Sequence, residues 1–240
     1  MKHLLTVILL LLSLSCCTSE GEKSRMRAGL DSLNQRNRNY ETLSIAEVQP
    51  YLDYFTHHGT ANDRLLAHYL MGLAYLDHGE APMTLQCYQD AIDCADTTSA
   101  NCDYAQLARV YGQMANVFYY QGLYQEQLQK TIVSVKYAWK GRDTLLAIRN
   151  YEQKVLAFNG LGMMDSAIMV IEHVAQEYDR YGKTANSAIS LGLAIKPLID
   201  KGDFQKAKHY IDNYESLSGR FDSYGNIEAG REYYYNVKGL

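Results

Sequence analysis

Along most of this chain apolar residues recur every three to four positions, and at regular intervals a glycine interrupts the pattern. Spacing of that kind marks helices that bury one face. Four of the glycines, Gly79, Gly122, Gly162 and Gly202, lie 43, 40 and 40 residues apart, and an apolar or aromatic residue stands four places before each: Tyr75, Phe118, Phe158 and Leu198. A constant interval of this length predicts a repeated pair of helices with a glycine in the turn between them. The pairs are expected at 62–96, 103–140, 143–181 and 184–218, with a partial fifth at 223–240. Residues 23–61 supply amino-terminal helices that cover the first pair. Ser44 with Glu47 forms a capping-box pattern, Asp165 and Asp203 are expected N-caps, and Gly141 before Asp143 is a stop followed by a start. Pro197 should kink the first helix of the fourth pair. Glu232 to Leu240 reads as the first helix of a fifth pair without its second, which leaves an apolar end to be covered, or marks a truncated chain.

Around Gly79 the order is His68-Tyr69-Leu70-Met71-Gly72-Leu73-Ala74-Tyr75, followed after the turn by Leu85, Tyr88, Ala91 and Ile92. This resembles the tetratricopeptide repeat: Gly72 and Ala91 match its small contact residues, and Tyr75 and Tyr88 its aromatic ones. Thr84 departs from the usual Ala. Tyr111, Ala115, Phe118 and Gly122 carry the second unit, where Gln127 replaces that Ala; Val155, Phe158, Gly162, Ala167, Ile171 and Val174 carry the third; Leu198, Gly202, Phe204, Ala207 and Ile211 carry the fourth. The resemblance covers roughly residues 62–218 and implies an all-α, tetratricopeptide-like solenoid of antiparallel helix pairs, wound as a right-handed superhelix. The interval of 40–43 exceeds the family's usual length of about 34, so either the helices or the links between them must be longer. The resemblance also implies a groove lined by the first helix of each pair that binds a protein or peptide. In the family's geometry that groove would present Tyr69, Leu73, Leu76, Arg109, Asn116, Tyr119, Arg149, Glu152, Asn159 and Lys196. A ligand with a hydrophobic anchor and a carboxylate would suit such a lining.

The amino terminus follows a different pattern. After Met1-Lys2-His3 comes an apolar run from Leu4 to Leu14, broken only by Thr6 and Ser13, and then Ser15-Cys16-Cys17. The run is short for a bilayer span, which needs roughly 20 residues, and its layout is that of a signal peptide at 1–15. Its end resembles a lipobox, with Cys16 as the preferred lipid attachment site, Cys17 as the alternative, and 16–22 as the linker that follows. A secretory signal with two incidental cysteines is the plainer reading. Lipid attachment would hold the chain to a membrane. The whole resembles the lipid-anchored tetratricopeptide proteins of Gram-negative bacteria that colonise hosts, exported to the outer membrane or the periplasmic face.

A formal charge of -4 and 3 prolines in 240 residues agree with a helical chain without the basic excess that nucleic acid requires. The seven histidines show no metal-type spacing, Gly160-Leu161-Gly162 lacks the third glycine of a dinucleotide loop, and there is no nucleophile elbow or phosphate loop, so no cofactor and no catalysis are expected. Cys87 and Cys94 suit one buried helix face, with a Cys94 to Cys102 disulfide as the alternative. A further alternative is that the array is the exported sensory half of a larger signalling protein.

Overall fold

The protein is described by a computed structural model that covers the backbone of residues 2–239 and the side chains of residues 20–239. The side chains of Cys16, Cys17 and the expected signal peptide lie outside this description. The elements are helical throughout: α1 (Lys2–Arg38), α2 (Ile45–His58), α3 (Ala61–Asp77), α4 (Ala81–Cys94), α5 (Tyr104–Tyr120), α6 (Tyr124–Lys140), α7 (Thr144–Glu152), α8 (Lys154–Gly160), α9 (Met164–Arg180), α10 (Thr184–Gly192), α11 (Ile195–Asp200), α12 (Phe204–Leu217) and α13 (Tyr233–Lys238). The one β feature among the described residues is an isolated bridge between Phe221 and Ile227. The chain divides into two compact units, 1–110 and 111–240, and the division falls inside α5.

The four marker glycines all have φ between +71° and +78°, where an L side chain is strained. In each case the next residue turns its N–H back onto the carbonyl of Tyr75, Phe118, Phe158 or Leu198, at 2.7–3.0 Å. This is the Schellman closure, which satisfies carbonyls that a helix end leaves without partners. The apolar residue four places before each glycine is therefore the acceptor of the closing bond. The same closure occurs at Gly182, and at two positions with no glycine, Tyr40 (φ 64°) and Arg142 (φ 56°). Gly141 ends α6, as expected, but the left-handed residue is its neighbour Arg142.

These turns set the repeat. From Tyr104 onward, three-residue turns join the helices, and α5, α6 and α9 are each 17 residues long. The long interval is thus a matter of longer helices. The first interval is longer because the link 95–103 exceeds a three-residue turn. Asn62 holds this link, donating to the Asn101 carbonyl at 2.7 Å and accepting from the Asp103 N–H at 3.0 Å.

In the first unit the buried residues include Leu30 and Leu33 of α1, Val48 and Phe55 of α2, Leu65, Leu70 and Met71 of α3, and Tyr88 and Ala91 of α4. Gly72 has its reason in Tyr88: a Cβ there would stand 2.4 Å from the ring. α1 and α2 themselves form a helix pair, in which Gly29 lies against Tyr51 just as Gly112 lies against Ser134 and Gly192 against Tyr214, each facing a residue twenty-two places later. The capping box is present, with Ser44 and Glu47 each bonding the other's backbone. Cys87 is buried and Cys94 partly so, and both are free thiols, so the alternative disulfide of Cys94 is not formed.

The second unit buries Ile148, Val155, Ile168, Ile171, Val174, Ile195, Leu198 and Tyr210 in one cluster, which Tyr234 and Val237 of α13 join. Its first helices are broken. Pro197 interrupts α10 and α11 at Leu193–Ala194, where a proline ring displaces the carbonyl four residues back. The break between α7 and α8 has no proline; there the buried Gln127 of α6 donates at 2.9 Å to the carbonyl of Gln153, which also accepts the Leu156 N–H at 3.1 Å. Asp203 caps α12 as expected, whereas α9 starts at Met164, so Asp165 sits inside its first turn and pairs with Lys201. Residues 218–232 form a looped segment, and α13, six residues long, lies within the helix expected at Glu232 to Leu240.

Gly72→Ala is expected to destabilise the protein by about 2 kcal/mol in chemical denaturation, because Tyr88 must move. Arg142→Gly is expected to raise stability by roughly 0.5 kcal/mol, the left-handed strain relieved less the entropy that glycine adds to the unfolded chain. A neutral Gly72→Ala would show that the Tyr88 ring is not fixed against the backbone.

Candidate partner-binding surface

The residues assigned to a groove have different fates in the structure. Tyr69 and Leu73 are 3% and 8% exposed and cannot line an open surface. The Tyr69 ring stacks on Tyr88 with centroids 6.1 Å apart, and Asn37 of α1 hydrogen-bonds its hydroxyl. Beside it, Arg27 of α1 pairs with the buried Asp63 of α3 at 2.6 Å, with Leu30 and Leu33 buried nearby. The apolar face of the first unit is thus the seat of α1. Burial raises the Tyr69 hydroxyl above the usual phenol range, against opposing pulls from Asn37, Arg109 and Arg38. Leu76 and Arg109 are half-buried.

In the second unit Asn116 donates to Gln113 at 3.3 Å, and Tyr119 packs against Tyr120 and Tyr124. Glu152 is drawn inward: Ser190, in the next first helix, donates to its carboxylate. Arg149 is exposed and hydrogen-bonds Tyr178 of α9. Glu152 therefore ties its pair to the next, whereas Arg149 joins the two helices of one pair. Asn159 and Lys196 remain exposed, and they share a cleft of about 330 Å³ with Met164, Leu193, Pro197 and Asp200.

A larger cleft, of about 380 Å³, adjoins the first at Leu193 and Lys196 and runs between α10–α11 and α13. Ile189 and Leu193 form one wall, Tyr233 and Val237 the other, with Tyr214 and Arg231 between. Leu193 is 50% and Tyr233 66% exposed, so the surface offers apolar area to a partner. Its cations are already paired, Lys196 with Asp200 at 2.8 Å and Arg231 with Glu228 at 2.9 Å. Tyr233 and Arg231 escape a reading by repeat position because α13 begins out of step with the 40-residue interval, and Leu193 because it stands at the break between α10 and α11. The Leu193 and Lys196 spacing, one helical turn, was the available signal. Among the described residues no group of three or more His, Cys, Asp and Glu side chains could hold a metal ion.

Burial raises the Glu152 carboxyl above its ordinary value, against the Ser190 hydrogen bond and the Arg149 charge. The folded chain therefore holds that proton more tightly than the unfolded one. The associated stability is present at pH below the ordinary carboxyl range and is lost as pH rises through the raised value. Glu152→Gln, which keeps an acceptor for Ser190, is expected to raise Tm at about pH 7.5 and to leave it nearly unchanged at about pH 4. Thermal unfolding at the two pH values checks this.

No family model matches the chain, and no curated protein matches it in sequence. Solved structures do match. The putative kinesin light chain of Podosopora anserina, with nearly identical TPR-like repeats, aligns at a TM-score of 0.62 and 12% identity over 80% of this chain and 93% of that one. A single-substitution form of the same protein aligns equally well. Together with the helix pairs and their left-handed turns, this likeness gives the fold: an all-α, tetratricopeptide-like solenoid of antiparallel helix pairs.

Proposed function

We propose that this chain is a membrane-anchored, non-catalytic scaffold that holds another protein or peptide through the first-helix face of its second unit. The observation that carries the reading is the pair of adjoining clefts at Leu193 and Lys196, open and partly apolar on a fold made of repeated helix pairs. Stacked pairs of this kind present extended faces that suit peptides and helices. The seat of α1 on Tyr69 makes the first unit's face unavailable to a partner unless α1 leaves. A hydrophobic side chain filling the space between Leu193 and Tyr233 would supply most of the affinity. A carboxylate on the partner would compete with Asp200 for Lys196 and with Glu228 for Arg231.

The anchor rests on the sequence: the apolar run Leu4–Leu14 followed by Ser15-Cys16-Cys17 has the layout of a lipoprotein signal. It places the mature chain outside the cytoplasm, on a membrane surface. Among the described residues no helix is long and apolar enough to cross a membrane.

Two experiments test the reading. Cys16→Ser is expected to abolish metabolic labelling with a fatty-acid analogue and to release the chain from the membrane fraction, while Cys17→Ser does neither; the opposite result moves the attachment to Cys17, and labelling of neither form removes the anchor. Leu193→Arg is expected to weaken capture of the native partner at least roughly tenfold, about 1.4 kcal/mol, with the fold intact by circular dichroism. Equal capture by the two forms would overturn the assigned face.

A further inference from the structure

A cleft of about 260 Å³ lies elsewhere in the second unit, enclosed by α6, α7 and α9, and it shares no residue with the clefts at Lys196. Its floor is apolar and buried: Ala147, Ile148 and Val174. Three aromatic rings surround the floor. Trp139 is 49% exposed, and Tyr151 and His173 meet edge to face with centroids 5.2 Å apart. One carboxylate, Glu177, completes the lining, its side chain 16% exposed.

Rings of this kind attract cations through their negative faces, and Trp does so most strongly. Tyr151 already demonstrates it, with Lys154 Nζ 4.0 Å from the ring centroid, although Lys154 does not line the cleft. The chemistry also selects among cations. The acceptors among the lining side chains are Glu177, already paired with Arg180, one imidazole nitrogen of His173 and the Tyr151 hydroxyl. An N–H cation would have to align each donor with one of these few groups or leave it unsatisfied at a cost comparable to the attraction. A fully alkylated ammonium has no donors to satisfy, and its methyl groups suit the apolar floor. We propose that this cleft binds a small quaternary ammonium solute, of the choline class, between Trp139, Tyr151 and His173, with Glu177 balancing its charge. The inference concerns a different surface from the partner-binding face and does not depend on it. Arg180 pairs with Glu177 at 2.5 Å and is 68% exposed, so it competes with the ligand for the carboxylate.

The chain contains a single tryptophan, so its fluorescence reports directly on this cleft. Titration of the full chain with choline is expected to give a saturable change in Trp139 emission, and the uncharged tert-butyl isostere of choline is expected to bind roughly tenfold more weakly. Glu177→Gln should weaken choline binding severalfold, and Arg180→Ala, which frees the carboxylate and leaves the floor untouched, should tighten it. Calorimetry on Trp139→Ala, folded by circular dichroism, should show binding lost. Equal responses to choline and its isostere, or no saturable response, would overturn the proposal. Tighter binding of ethylammonium than of choline would overturn the preference for an alkylated cation. A response to phosphatidylcholine vesicles but not to choline would replace the solute with a lipid headgroup.

Discussion

The left-handed turn that closes each helix is the constraint from which the rest of the structure follows. One residue at positive φ lets the next N–H reach back to the carbonyl five positions earlier, and the chain reverses within three residues. With turns this short, successive helices must be antiparallel neighbours and must bury the faces they turn toward each other. The interval of 40 residues from α5 onward is two 17-residue helices and two such turns. Where the turn is lengthened, at 95–103 and again at 218–232, the interval is lost.

That constraint explains what the sequence disclosed and what it concealed. Gly79, Gly122, Gly162 and Gly202 were legible because no other residue takes positive φ so cheaply, and Gly72 with Tyr88 because a close helix contact needs a missing Cβ. The turns at Tyr40 and Arg142 were not legible as such, since neither residue favours that conformation and the surrounding packing enforces it. Gln127 read only as a departure from Ala. Its role depends on the break at Gln153, twenty-six residues away, which carries no proline to announce it. Pro197 made the other break readable.

The binding face shows the same division. Of the residues that repeat position assigned to a groove, Asn159 and Lys196 are exposed, whereas Tyr69 and Leu73 are buried, Tyr69 against Asn37 of α1. A positional pattern records which way a side chain points and not which later or earlier segment packs on it. In the second unit, Glu152 is spent on joining its pair to the next through Ser190, and Arg149 on joining the two helices of its own pair through Tyr178. The accessible chemistry that remains lies where α13 falls out of step with the repeat and leaves Leu193 and Tyr233 facing across an unfilled gap.

The account therefore distinguishes two faces that the repeat alone would treat as equivalent, one closed by α1 and one open at Leu193. Site-specific photo-crosslinking in membranes of the native host separates them most directly, with the reactive side chain placed in turn at Tyr69, Asn159 and Lys196. The account predicts a crosslinked partner of one size from Asn159 and Lys196, and from Tyr69 only an internal link to α1. A partner crosslinked from Tyr69, with none from Lys196, would contradict it.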